Sequence, residues 1–332
     1  MEQPGHLSLE ITNSCNELCR HCYHPEKRNS EFLTDIELLD KMLAEFGELG
    51  FMFLTITGGE PLLHPKFKEI CELSQKNRYI ISIKTNGTLI TNKIVEFFRK
   101  LKPSTVEISL YSADPDEHDH ITGIIGSWAK SMESVHLLKR NGVKVSVMTP
   151  VLKSVKKWTE LYELMKKAGI PWSCSPNIHS SLDEREQVEK FKGTFEGHLR
   201  FLEFVNRYEN QKITNIDDLC FKQCGGGETV ACIGSDFSVR PCISYPEKAG
   251  IYKEGNTLEL LKLAKDLLIK RFNLLECHNC DLVKFCSPCP AHIKIVEGIG
   301  ICEQTKKEYA KAYKQFFESL IKQELISFPI KT

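Results

Sequence analysis

Three cysteines stand close together near the start of the chain, in Cys15-Asn16-Glu17-Leu18-Cys19-Arg20-His21-Cys22-Tyr23. Thiolates at spacings of four and three residues wrap one face of an iron–sulfur cube and leave one iron without a protein ligand. A zinc ion is the alternative, and it asks for a fourth ligand such as His21 or His24 to close its tetrahedron. A second cysteine group reads Cys220-x3-Cys224-x7-Cys232-x9-Cys242, then Cys277-x2-Cys280-x5-Cys286-x2-Cys289, then Cys302. A CxxC followed closely by another pair is a metal signature that zinc and iron–sulfur sites share, so spacing leaves the metal open. With 14 cysteines in all, metal binding is a better account than disulfides, which rarely persist in the cytoplasm. Cys71 and Cys174 lie apart and read as small buried hydrophobes.

Chemistry of this kind needs a scaffold, and the first 175 residues alternate short β-rich runs with amphipathic helical ones. That is the pattern of a parallel α/β sheet or barrel. Strands are expected at Leu7–Thr12, Met52–Thr57, Ile80–Thr85, Thr105–Leu110, Val143–Thr149 and Ile170–Cys174. Six βα units are too few to close an eight-stranded barrel. Thr34-Asp35-Ile36-Glu37 reads as a capping box before a helix with Leu39, Met42, Leu43 and Phe46 on one face, closed by Gly50. Further helical stripes fall at Phe67/Ile70/Cys71, Ile94/Val95/Phe98, Met132/Val135/Leu138 and Trp158/Leu161/Tyr162/Met165. A long helix from about Glu184 to Tyr208 and a terminal one from about Gln304 to Ile326 complete the pattern, with no internal repeat. The first cysteine group directly follows the first strand, and βα barrels carry their chemistry on the loops at the carboxyl ends of strands.

Thr57-Gly58-Gly59-Glu60-Pro61 ends the second strand. Its glycines permit close approach of backbone to a ligand, and Glu60 can accept hydrogen bonds from an ammonium. With the CxxxCxxC motif, this segment makes the chain resemble the radical S-adenosylmethionine (SAM) superfamily, whose GGE motif binds the amino group of SAM. The resemblance implies a 4Fe–4S cluster on Cys15, Cys19 and Cys22, with SAM chelating the open iron. It implies SAM contacts from Gly58, Gly59 and Glu60, from Lys84 and Asn86 after the third strand, from Ser109, from Met148 near the adenine, and from the backbone of Tyr23. It also implies the reaction: one electron from the cluster breaks a carbon–sulfur bond of SAM, and a 5′-deoxyadenosyl radical abstracts hydrogen from an unactivated carbon.

The C-terminal cysteines resemble the SPASM extension of that superfamily, which houses two auxiliary 4Fe–4S clusters. The fold expected is therefore α/β, a partial (β/α)6 TIM-like barrel followed by a small cysteine-rich domain with a β-hairpin and short helices. Residues 1–210 would be the barrel, 211–303 the auxiliary-cluster domain and 304–332 a terminal helix. By position, auxiliary cluster I takes Cys224, Cys242 and Cys289, and cluster II takes Cys277, Cys280, Cys286 and Cys302. Two departures stand out. Phe237 occupies a place where the family has glycine, so the hairpin turn must change geometry or bear strain, and Cys286-x2-Cys289 is one residue short. A turn at Asp236-Phe237 would set Ala231 opposite Cys242 and point Cys232 to the other face. The fourth ligand of cluster I is then Cys220, or an open iron.

Lys plus Arg equal Asp plus Glu at 44 each, so no global field points to nucleic acid or an anionic membrane. No signal peptide and no long apolar run is present, and a cytoplasmic location is expected. Asp116-Glu117-His118-Asp119-His120 and His64 read as structural, His118 in a solvated loop. Enzymes with this resemblance modify ribosomally made peptides by thioether or C–C crosslinking, epimerisation or side-chain oxidation. A precursor peptide or protein is the expected substrate, with a flavodoxin- or ferredoxin-type electron donor. Because the chain starts almost at its first strand, leader recognition is expected to need a separate binding protein or another surface. The alternatives are radical chemistry on a porphyrin side chain or sugar, and a zinc-binding protein without catalysis.

Overall fold

The structure, a computed structural model, describes residues 3–24, 32–175, 188, 190–208, 224–274, 280–286, 289–296, 299–302 and 304–322. Its frame is six strands: β1 (Gly5–Glu10), β2 (Phe51–Thr57), β3 (Ile80–Thr85), β4 (Thr105–Ser109), β5 (Val145–Pro150) and β6 (Trp172–Ser175). Each pairs in parallel with the next in sequence. Between them run α1 (Ile36–Glu48), α2 (Phe67–Lys76), α3 (Asn92–Leu101), α4 (Pro115–Thr122), α5 (Ser127–Arg140) and α6 (Trp158–Ala168). β1 starts two residues earlier than expected, and β5 starts two later because Gly142 and Val143 close the end of α5, with Val143 N bonded to Leu138 O at 3.1 Å. Asp35, rather than Thr34, caps α1, accepting from Leu38 N at 2.9 Å.

Side chains alternate across each strand. One face, with Leu7, Leu9, Leu54, Ile56, Ile81, Ile83, Val106 and Val147, buries against Leu39, Phe46, Phe98 and Leu138 of the helices. The face turned away from the helices is polar. On it His6, Thr55 and Ser82 form a row of side-chain contacts of 2.8 Å each, and Lys84 pairs with Glu107 at 3.0 Å.

The sheet does not stop at β1. β7 (Val230–Ile233) joins its outer edge in parallel, from His6↔Val230 to Leu9↔Ile233, and β8 (Ser238–Arg240) and β9 (Gly250–Ile251) extend it antiparallel. The nine-stranded order is β6-β5-β4-β3-β2-β1-β7-β8-β9, so the barrel is open. An unpaired β1 edge would leave backbone donors and acceptors bare, and the hairpin satisfies them.

That hairpin corrects the expected register. Cys232 lies opposite Arg240 and Ile233 opposite Val239, a shift of one residue from Ala231 facing Cys242. The loop is Ser235-Asp236-Phe237, closed by Gly234 N to Ser238 O at 2.8 Å and Phe237 N to Gly234 O at 2.9 Å. Phe237 sits at φ 61°, the left-handed position that such three-residue loops reserve for their last residue. The strain of a bulky residue there is offset by burial of its ring in the main core.

The expected helix from Glu184 to Tyr208 is also corrected. Residues 184–187 and 189 lie outside the described set, but a turn through Lys190–Lys192 precedes α7 (Phe195–Tyr208), and Thr194 Oγ1 accepts from Gly197 N at 3.2 Å as its start signal. α8 (Thr257–Asn273), the hairpin β10 (Ile293–Val296) and β11 (Ile299–Cys302), and α9 (Gln304–Lys322) follow. α9 packs Tyr313, Phe316 and Phe317 against Leu202 of α7. Among the described residues no helix is long and apolar enough to cross a membrane.

Candidate active site

The cysteine loop leaves β1 and is pressed against the loop after β2. Gly59 N donates to Thr12 O and Glu60 N to Ser14 O, both at 2.7 Å. A Cβ on Gly58 would lie 2.3 Å from Thr12 O, and one on Gly59 2.2 Å from Ser14 O. Both glycines are therefore required by the approach of one loop backbone to the other. His24 Nε2 adds a 2.9 Å contact to Gly58 O from the far side of the cysteines.

Glu60 is fully buried. One oxygen accepts from Leu62 N at 3.0 Å and Thr85 Oγ1 at 2.8 Å, the other from Asn86 N at 2.8 Å. Burial outweighs these donors and pushes the carboxyl up to about 7. Asn86 Nδ2 donates to Asn16 Oδ1 at 2.9 Å, so the loop after β3 also touches the cysteine loop. Gly58, Gly59, Glu60 and Asn86 thus converge on Cys15–Cys22. Ser109 and Met148 are register partners at the ends of β4 and β5, both half-buried. Lys84 does not join this group, because it pairs with Glu107 on the polar face of the sheet.

Burial raises the Cys19 thiol well above its ordinary range, and Glu17, Cys22 and Cys15 raise it further. A thiol that resists ionisation as a bare group, with two more thiols beside it, is suited to metal, which displaces the proton and spreads the charge. Tyr111 Oη lies 3.7 Å from Cys19 Sγ, and Glu17 Oε2 accepts from that thiol at 3.5 Å. Among the described residues no group of three or more His, Cys, Asp or Glu gathers round a single ion position. The Nδ1 of His21, inside the motif, is buried without a hydrogen-bond partner, and burial lowers its pKa to about 4, keeping the ring neutral. This donor set fits a 4Fe–4S cluster.

A buried polar layer beneath Cys19 was not legible in the sequence. Ser127 Oγ donates to Glu17 Oε1, His118 Nε2 lies 3.3 Å from Ser127 Oγ, and His118 Nδ1 accepts from Tyr111 N at 3.2 Å. The Tyr111 ring stacks on His118 at 5.1 Å and meets His21 edge-on at 4.8 Å. His118 is therefore not in a solvated loop. It lies on α4, 1% exposed, because Asp114 caps that helix and turns the imidazole inward. His64 is structural as expected, buried between Leu33 O at 2.9 Å and Lys66 N at 3.0 Å.

Tyr23 turns its hydroxyl to Glu10 Oε1 at 2.9 Å. On the far side of Glu10, Cys242 is partly buried, and its thiol is pushed up to about 11 by burial, with Cys289 and Cys224 adding to the rise. Backbone donors of Ser244 and Tyr245 act on the same sulfur in the opposite direction. Cys242 and Cys289 pack together against Tyr245, Leu268 and Ala291. Cys280 and Cys286 flank the turn Val283–Phe285, and Cys302 ends β11. Cys220 and Cys277 lie outside the described residues. All described cysteines are free of disulfides, with Cys71 in the main core and Cys174 partly buried against a second cluster that includes Val151, Leu152 and Trp158.

Residues 9–165 match the family model of the radical SAM superfamily. The antilisterial bacteriocin subtilosin biosynthesis protein AlbA of Bacillus subtilis (strain 168) is 28% identical over 74% of this chain, and the match spans 56% of that relative's own length. The AdoMet-dependent heme synthase of Methanosarcina barkeri (strain Fusaro / DSM 804) is 24% identical over 89% of this chain and 93% of its own. Among solved structures, anSMEcpe with bound AdoMet and Kp18Cys peptide superposes with a TM-score of 0.72, at 20% identity, over 97% of this chain and 98% of that one. With the CxxxCxxC loop, the Gly58-Gly59-Glu60 clamp and the open parallel barrel in place, residues 9–165 form a radical SAM superfamily region.

Proposed function

We propose that this chain is a radical SAM enzyme that modifies a peptide or protein. Cys15, Cys19 and Cys22 would hold the 4Fe–4S cluster, and bound SAM with that cluster supplies a carbon-centred radical able to take hydrogen from an unactivated carbon. The chain's own contribution is placement. The Gly58–Leu62 and Asn86 loops brace the cysteine loop, and Gly58, Gly59, Glu60, Asn86, Ser109, Met148 and the backbone of Tyr23 are the proposed SAM contacts, with Lys84 set apart by its pairing with Glu107. The neutral ring of His21 and the Tyr111 hydroxyl offer uncharged polar groups beside the cluster. Auxiliary 4Fe–4S clusters would use Cys224, Cys242 and Cys289, and Cys277, Cys280, Cys286 and Cys302, in a unit spanning residues 211–303. A flavodoxin- or ferredoxin-type donor would supply the electron.

The observation that carries the peptide reading is the end-to-end likeness to a structure holding AdoMet and a peptide, joined by the bacteriocin-biosynthesis relative. A second reading, a porphyrin substrate, is favoured by the heme synthase match over nearly the full length of both chains. To separate them, reduced and reconstituted enzyme is incubated with SAM and either a peptide encoded beside its gene or an iron porphyrin. Peptide-dependent 5′-deoxyadenosine with a mass change in the peptide supports the first reading. Porphyrin-dependent turnover with an inert peptide overturns it.

A further inference from the structure

Between the two cysteine groups lies a buried charged pair, Glu10 and Arg240, 3% and 4% exposed. Glu10 is the last residue of β1, five before Cys15, and Arg240 is the last of β8, two before Cys242. A buried ion pair contributes little to stability over an apolar pair of the same shape, so its retention points to another role. Its contacts show which. Arg240 Nη1 donates to Ile243 O at 3.2 Å and Tyr245 O at 3.4 Å, gripping the turn that carries Cys242 from both ends. Its Nη2 donates to Glu10 and, at 3.2 Å, to the sulfur of Cys232. On the other side, the Tyr23 hydroxyl donates to Glu10 at 2.9 Å, and His24 Nε2 lies 3.6 Å from the same oxygen while reaching Gly58 O. One carboxylate and one guanidinium thus span the loop of Cys22, the glycine clamp and the turn of Cys242.

We propose that Arg240, anchored by Glu10, is a positioning residue that fixes the Cys242 metal centre against the radical-cluster loop and sets its reduction potential. This rests on the reading that Cys224, Cys242 and Cys289 hold an iron–sulfur cluster. A guanidinium in a low-dielectric interior favours the reduced, more negative cluster, and the carboxylate behind it opposes that effect. Cys232, pinned by Arg240 and buried at the β1 edge opposite Ser8, belongs to this bridge and not to the ligand set.

The test uses the full chain with Cys15, Cys19 and Cys22 all changed to alanine, reconstituted anaerobically, so that only C-terminal centres report. Iron content and EPR-monitored redox titration are read. C242A must remove the signal assigned to this centre. R240Q is expected to lower its midpoint and E10Q to raise it, each by about a tenfold change in the reduced-to-oxidised ratio at fixed poise, 59 mV for one electron. A purely structural pair would move both variants alike. Should the single variants fail to fold, E10Q/R240Q is compared with R240K, which keeps the cation, and the double variant is expected to lie lower. Retained iron with unmoved or same-sign midpoints overturns the proposal and leaves the cluster reading standing. No iron and no C242A-sensitive signal in the alanine background overturns both.

Discussion

The N-terminal cysteine loop and the C-terminal cysteine region are built on opposite plans. Cys15, Cys19 and Cys22 sit in one short loop, clamped from three sides by the ends of β1, β2 and β3 and underlain by Glu17, Tyr111, Ser127 and His118. Cys224, Cys242 and Cys289 meet only because a hairpin docks on β1 and α8 closes over it. The first is a local motif presented by a sheet. The second is a tertiary assembly whose members are distant in sequence, which is why spacing alone names the metal less sharply there. Both share a device: uncharged or paired polar groups placed beside cysteine sulfur, where, with the proposed clusters bound, each hydrogen bond would change the energy of the electron held there.

The comparison breaks most visibly if cysteines are removed one group at a time. C19A is expected to drop SAM cleavage to background, measured as 5′-deoxyadenosine, while the C-terminal iron remains. C242A is expected to cost one cube's iron and leave the N-terminal EPR signal in place. Loss of both signals in either variant would show that the groups do not form independent centres.

G59A attacks the clamp alone. Its methyl group would meet Ser14 O at 2.2 Å, and overpacking of backbone against backbone should cost about 3 kcal/mol in denaturant unfolding of the iron-free protein. Glu60 tests the same clamp through pH. Its folded pKa, about 7, lies above the ordinary 4.5. The stability it contributes is therefore fully present below pH 4.5 and is lost as pH rises through about 7, by at most roughly 3 kcal/mol. E60Q cannot ionise, so the difference between wild type and E60Q should turn against wild type from pH 5 to pH 8. A pH-independent difference would place the carboxylate in a less buried setting. The smallest effect is expected for Y111F, which removes the hydroxyl near Cys19 and should lower the N-terminal midpoint by about 40 mV, the equivalent of one hydrogen bond of about 1 kcal/mol, leaving the C-terminal centre unmoved.

Much of this was legible in the residues. Five of the six parallel strands show themselves because each combines a buried apolar face with a polar one, and Ile80–Thr85 falls where its alternation says. The motif Gly58-Gly59-Glu60 is equally plain, although its glycines serve loop-to-loop contact as well as any ligand. What stayed hidden depends on pairing across the chain. Neither the parallel addition of β7 to β1 nor the contact of Glu10 with Arg240 leaves a local pattern, and Phe237 in a left-handed turn defies one. His118 looked solvated because its neighbours are acidic. Only the cap at Asp114 turns it inward.

The most direct measurement of the central claim is the metal content and SAM chemistry of the anaerobically reconstituted chain. Three cubes predict about 12 iron atoms per chain, and dithionite-reduced protein with SAM should release 5′-deoxyadenosine only while Cys15, Cys19 and Cys22 are intact. Protein that holds zinc alone, or that releases 5′-deoxyadenosine after those three cysteines are changed to alanine, would contradict the account.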